Sequence, residues 1–373
     1  MAQATLDNNI NVQRAVDTLA ALPYKKGEYA SRSWGHPFHF LVSYPSKLKP
    51  SIAHFLVQLF TSSGESVLDP FSGVGTIPFE ACSLGRYGIG SDVNPLALFV
   101  TRAKIDPPAP TEVRDQLSVL EDYIGKNKPM GNEGCEEEII DYYHPDTLKE
   151  ILAAREFFLD NTDPKWSFLA ACMSHILHGN RPYALSRRSH NIMPWPPKGE
   201  FVYKSVIASL REKATRMIGS DLPIGFVRGR AIQDDVRQLS LASGSVDCIL
   251  TSPPFYANRD FLRMNRIRLW FCGWSYKKQA EMRAQFFENQ RDIRAYSKVF
   301  DEFSRVLKGR RLCVMHLGVV KSFNMADNLS PIAKQAGFRT LKVINEDTSG
   351  METHGIVDRG ATHTHQFLVL QKE

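Results

Sequence analysis

The sequence predicts an α/β fold with a mainly parallel sheet, broken into two halves by a large, mostly helical insertion. Three observations carry this expectation. A short apolar strand at 66–69 runs into a glycine-rich turn, a helix at 77–83 and a second strand at 87–92. The same strand-and-helix rhythm resumes near Gly225 and includes the apolar run 246–250. Between these stretches, apolar residues recur at spacings of three and four, as over 146–159 and 166–177, which is the helical period. At 373 residues, with 43% hydrophobic and 23% charged, the chain can bury a large core and is excluded from the disordered class. The expected division is 1–104 for the first half, 105–224 for the insertion and 225–373 for the second half.

Taking the elements in order, the run Asp69-Pro70-Phe71-Ser72-Gly73-Val74-Gly75-Thr76 sits where a strand gives way to a helix. Glycines there let the backbone approach a ligand, and the helix start offers free amides. The strand that follows ends in Asp92, placed to accept hydrogen bonds from both hydroxyls of a ribose. Together they indicate a nucleoside cofactor. The loop lacks a third closely spaced glycine, and Asp69 would repel a pyrophosphate while suiting a cationic amine. A ribose, an adenine and an α-amino group without phosphate describe S-adenosyl-L-methionine.

The insertion is punctuated by Asp106-Pro107-Pro108-Ala109-Pro110 and by Met193-Pro194-Trp195-Pro196-Pro197, the latter read as an ordered loop. The overall charge of +6 hides large local imbalances. Residues 105–165 hold fifteen acids and six bases, 181–230 ten bases and three acids, and 259–311 fourteen bases and six acids. Two basic blocks with interleaved aromatics point to a polyanionic partner, nucleic acid. Within them, Arg181, Arg187 and Arg188 lie in a donor-rich stretch suited to base edges and phosphates. Arg259 and Arg263, four residues apart just beyond the next motif, are expected on one helix face as a phosphate clamp.

That next motif is Thr251-Ser252-Pro253-Pro254-Phe255-Tyr256, at the end of the buried strand 246–250. Pro253 and Pro254 fix φ and remove two N–H donors, leaving carbonyls presented as acceptors. Ser252 adds a hydroxyl and Phe255 an aromatic face. The set suits a planar NH₂ group whose ring stacks on Phe255. An exocyclic amine is a poor nucleophile because its lone pair is delocalised. Acceptors that draw on both N–H bonds localise that pair, and orientation supplies much of the remaining rate.

At these residues the sequence resembles the DNA amino-methyltransferases, which make N4-methylcytosine or N6-methyladenine. The stretch 69–76 is similar to that family's cofactor motif, and 251–256 to its catalytic motif. The segment 36–60 resembles the piece packed over the cofactor, Asp92-Val93-Asn94-Pro95 the ribose-binding acid, and Gln233-Asp234-Asp235 the acid that meets the adenine amino group. Residues 305–309, 312–317 and 365–370 resemble the later core. The resemblance implies a Rossmann-like methyltransferase fold: a mainly parallel seven-stranded sheet with one antiparallel strand. It also implies extrusion of the target base from the duplex. By this resemblance Ser252 and the Pro253 carbonyl hold the amine, Phe255 stacks on the flipped ring, and Phe71 packs near the methionine part. Either Asp234 or Asp235 contacts the adenine. A serine heading the tetrapeptide is more typical of cytosine-N4 enzymes, so cytosine N4 comes first and adenine N6 second; methylation of RNA or of a protein amide comes third. A cognate restriction endonuclease is the further partner such enzymes imply.

The six cysteines are scattered singly, without a Cys-x-x-Cys pair, and are read as reduced thiols. His175 with His178, and His363 with His365, lack further ligands nearby, so no metal is expected. No signal peptide and no apolar run of about 18 residues are found, and a cytoplasmic location is expected.

Overall fold

The computed structural model describes residues 2–31, 33–44, 46–132, 135–256, 260–287, 292–348 and 362–373. Among the described residues, eight strands form one sheet: β1 (Ser66–Asp69), β2 (Tyr87–Ser91), β3 (Arg230–Ile232), β4 (Val246–Thr251), β5 (Leu307–Val320), β6 (Phe323–Asn324), β7 (Phe338–Asp347) and β8 (Thr362–Lys372). Their order is β3-β2-β1-β4-β5-β8-β7, and the two-residue β6 folds back on β5. From β3 to β5 every pairing is parallel, whereas β8 runs antiparallel to both its neighbours. The seven-stranded sheet with one reversed strand is therefore present, with β6 as a small addition.

The period of two along the strands decides the layers. Leu68, Ile249, Cys313, Met315, Leu317, Leu368 and Leu370 point to one face, where helices Tyr296–Val306 and Met325–Gln335 bury Phe300, Phe303 and Leu329. Val67, Cys248, Leu250, Val314, Phe367 and Val369 point to the other, under helix Pro50–Phe60 with Leu56 and Val57. β4 and β5 shift register between Val246 and Cys248, which is why Val246 and Cys248 lie on opposite faces although two residues apart.

The strand expected from Gly225 onward shrinks to Arg230–Ile232. Its lead-in is spent elsewhere: the Val227 amide donates to the Cys82 carbonyl and the Gly229 amide to the Ile105 carbonyl, which are not sheet partners. In the 105–224 region, helices Pro110–Lys126, Pro145–Asp160, Ser167–Ile176 and Val206–Ile218 share one apolar cluster with helices Pro95–Ile105 and Phe261–Phe271. Every residue of Ser167–Ile176 is buried. The helical region thus packs against the sheet's own helices instead of enclosing a core of its own. Among the described residues, no helix is long and apolar enough to cross a membrane.

Candidate active site

β1 lies between β2 and β4, where the winding of the sheet reverses, and a crevice opens there beyond the strand carboxyl ends. A cavity of about 570 Å³ occupies it. That volume is in the range of small-molecule sites. Residues 69–74, Thr76, Asp92, Asp234, Asp235 and 252–255 all line this one cavity, so the two motifs, 180 residues apart, meet.

On one side the 69–76 loop is held by its own backbone and two acids. The Ser72 amide donates to the Ser91 carbonyl at 3.0 Å, tying the loop to β2. Asp92 accepts from the Gly73 amide at 2.9 Å and the Asn94 amide at 2.9 Å. Asp69 accepts from the Thr251 hydroxyl at 2.7 Å and the Phe71 amide at 3.2 Å, joining the ends of β1 and β4. The two glycines divide the work. Both have positive φ, +49° at Gly73 and +67° at Gly75. A Cβ on Gly75 would lie 2.9 Å from the Thr101 Cα, so Gly75 is where the loop packs on helix Pro95–Ile105. A Cβ on Gly73 would meet nothing nearer than Tyr44 Cε1 at 3.8 Å, which leaves its backbone open to a ligand in the cavity. Burial pushes the Asp69 carboxyl up to about 7 and the Asp92 carboxyl up to about 6. An approaching cation lowers both and is stabilised by them. A backbone cradle, a ribose-length acid and a buried carboxylate suited to a cation fit S-adenosylmethionine.

Phe71 meets Phe287 edge-on at 5.4 Å between ring centroids. Asp235 receives the Arg237 Nε–H at 2.8 Å, while Asp234 accepts from both the amide and the hydroxyl of Ser240 at 2.8 Å. Both acids line the cavity, and both already hold a partner. Tyr44 stacks on Phe261 with centroids 5.8 Å apart, and both rings line the cavity, one from the N-terminal segment and one from the helix Phe261–Phe271.

The other side of the cavity holds residues that the motifs did not reveal. Ser252 Oγ lies 3.1 Å from His316 Nδ1 on β5. The Phe255 ring lies 5.6 Å from the His316 ring and 5.9 Å from the His365 ring. On β7, Glu346 accepts the Tyr24 hydroxyl at 2.5 Å and the Lys25 ammonium at 2.6 Å, with His365 Nδ1 at 3.8 Å. Burial pushes the Glu346 carboxyl up, but the nearby His365 and the bonded Lys25 and Tyr24 outweigh it and hold it down at about 2. Desolvation drives His316 down to about 3, so its imidazole is neutral. The only cue in the sequence to these residues would have been the pairing of strands: Gly318, His365 and Glu346 form one cross-strand row, and His316, Phe367 and Ile344 the next row on the same face.

Of the arginines singled out from the sequence, Arg181, Arg187, Arg188 and Arg263 do not line the cavity. Arg181, Arg188 and Arg263 are exposed. Arg187 is half-buried and engaged internally, donating to the carbonyls of Gly199 at 2.8 Å and Asp141 at 3.1 Å and covering the Phe201 ring. Arg259 lies outside the described residues. Arg266 and Arg268, on the same helix as Arg263, reach the 190–195 loop through the carbonyls of Pro194 at 3.4 Å and Asn191 at 3.1 Å.

A family described as the RMKL-like methyltransferase domain matches residues 41–119, the segment that carries the loop and Asp92. A Type II methyltransferase, M.MvaI of Kocuria varians, is 29% identical over 102 residues, covering 26% of this chain and 22% of that relative. The chain thus spans about a fifth of the length of the curated relative it matches. The rRNA methyltransferase aviRa of Streptomyces viridochromogenes superimposes with a TM-score of 0.38 at 14% identity over 93% of each chain. A SAM-dependent methyltransferase of Methanosarcina mazei gives 0.36 at 9% identity over 85% of this chain and 96% of that one. The methyltransferase resemblance carried by the two motifs is met again in the family match and in the curated relative.

Proposed function

We propose, from a methyltransferase domain over residues 41–119 with S-adenosylmethionine as its donor, that the protein methylates the exocyclic amine of a base in double-stranded DNA, cytosine N4 first and adenine N6 as the alternative. The observation that supports this best is the meeting of Ser252-Pro253-Pro254-Phe255 and the 69–76 loop in one cavity. The donor supplies an electrophilic sulfonium methyl. Asp92 accepts from the ribose, Gly73 admits the ligand to the backbone, and Asp69 faces the cationic portion. Asp234 or Asp235 accepts from the adenine amine. Ser252 Oγ and the Pro253 carbonyl accept the N–H bonds of the target amine and localise its lone pair, while Phe255 holds the ring by stacking. A base buried in a duplex cannot reach such a crevice, so the target nucleotide is extruded. The exposed Arg181, Arg188 and Arg263, with the exposed Trp195, form the nucleic-acid face; Arg187 instead braces its loop. The 105–224 helices carry part of that face on the shared core.

The test is methyl transfer from labelled S-adenosylmethionine to plasmid DNA, read by nucleoside mass spectrometry. N4-methylcytosine is the expected product. N6-methyladenine keeps the DNA reading and reverses the base. Label found only in RNA or in protein overturns the DNA assignment.

A further inference from the structure

The contact between Ser252 and His316 joins the catalytic tetrapeptide to the neighbouring strand. Ser252 Oγ and His316 Nδ1 are 3.1 Å apart. The imidazole is buried and fixed on its sides by the rings of Phe255 at 5.6 Å, His365 at 4.9 Å and Phe367 at 5.1 Å. Two residues further along β5, Gly318 leaves room for Phe255: a Cβ there would sit 2.7 Å from the Phe255 Cδ2. One strand therefore sets both the serine and the aromatic of the motif. His316 Nε2 is buried and has no partner among the described residues.

We infer that His316 is a positioning residue: its Nδ1 accepts the Ser252 hydroxyl proton, turning the Oγ lone pairs toward the amine to be methylated. The inference rests on the reading of Ser252 as the holder of an exocyclic amine. A hydroxyl has one donor and two acceptor lone pairs, unlike a carboxylate, which only accepts. An amine presents two N–H donors, so a hydroxyl hydrogen aimed at it would set donor against donor. With that hydrogen drawn to Nδ1, Ser252 becomes an acceptor toward the target. The neutral imidazole then carries its own proton on Nε2. The other groups facing the ring are His365 from β8 and Glu346 from β7. Glu346 is already occupied by Tyr24 and Lys25, so it leaves the Ser252 bond undisturbed.

The first measurement needs no turnover: nitrogen NMR on the full chain labelled at histidine, with the His316 signals assigned by their loss in His316→Asn. The expected result near neutral pH is the Nε2–H tautomer, with an Nδ1 resonance that moves in Ser252→Ala. A protonated Nδ1, or a resonance indifferent to Ser252→Ala, overturns the inference. The second measurement is single-turnover methyl transfer. His316→Leu should slow the step about tenfold with donor affinity unchanged. His316→Asn, whose Oδ1 takes the place of Nδ1, should recover most of that loss. The double variant Ser252→Ala/His316→Leu should be no slower than Ser252→Ala alone, because one residue acts through the other. Independent, multiplying losses, or no recovery in the folded Asn variant, refute the inference. If the unmodified protein transfers no methyl to nucleic acid, the functional reading fails, while the tautomer still decides the hydrogen bond.

Discussion

The two ends of the cavity are built in opposite ways. The donor end is made of main chain: amides of Phe71, Ser72 and Gly73, two glycines, and acids that lie at 69 and 92. The opposite end, the amine end of the proposed reading, is made of side chains from Tyr24, Ser252, His316, Glu346 and His365, with one hydrogen bond spanning 322 positions of sequence. A ligand of constant shape can be met by a local turn whose backbone defines its outline. A target that must be oriented for attack is met by side chains that several strands aim from different directions. The donor end therefore tolerates little backbone change. At the amine end, changes at the partly buried Ser252 and Phe255 are expected to cost chemistry before stability.

The largest effect expected is on the donor end. Gly75→Ala forces an alanine into a left-handed conformation and against the Thr101 backbone. It should cost roughly 2–4 kcal/mol of stability in a denaturant titration, from strain and overpacking together. A cost below about 1 kcal/mol would erase the contrast, because a surface-like position behaves that way. Next comes the amine end. Phe255→Ala should leave the unfolding midpoint nearly unchanged, since Phe255 is only partly buried. It should reduce kcat for methyl transfer by about 100-fold through lost orientation, with donor Kd intact. Parallel loss of donor binding would show that the two ends are not separable.

A third effect distinguishes the ends by pH. Asp69 and Asp92 have raised pKa values, about 7 and about 6, so each becomes fully ionised only above that range. Donor affinity, which gains from ionised carboxylates facing a cation, should fall as pH drops from 8 through 6. In Asp69→Asn the upper part of that fall should vanish, a change of about tenfold in Kd at pH 8 by calorimetry. The sign for stability is opposite. A carboxyl with a raised pKa favours the folded state when protonated, so the ligand-free protein should lose stability as pH rises from about 4 through about 7. The smallest effect lies outside the cavity. Arg263→Ala and Arg188→Ala should each lower the slope of log affinity for DNA against log salt by about 1, without changing donor binding. A slope that stays the same removes that arginine from the nucleic-acid face.

Much of this was legible in the sequence because it is local. The turn at 69–76, the acid ending β2 and the proline pair ending β4 are each marked within a few residues, through the φ preferences of glycine and proline at the ends of strands. Tertiary structure alone decided the rest. Arg187 reads as a free donor in the sequence and is consumed by two carbonyls of its own neighbourhood. The helical region reads as an insertion and shares its core with the helices on the sheet. His316, His365 and Glu346 read as scattered polar residues within apolar strands. Strand register puts them on one face beside Ser252; burial leaves His316 neutral, whereas Glu346 stays ionised against its burial because its partners hold it so. Register and desolvation are properties of chain segments brought together from far apart, and no pattern within a single segment encodes them.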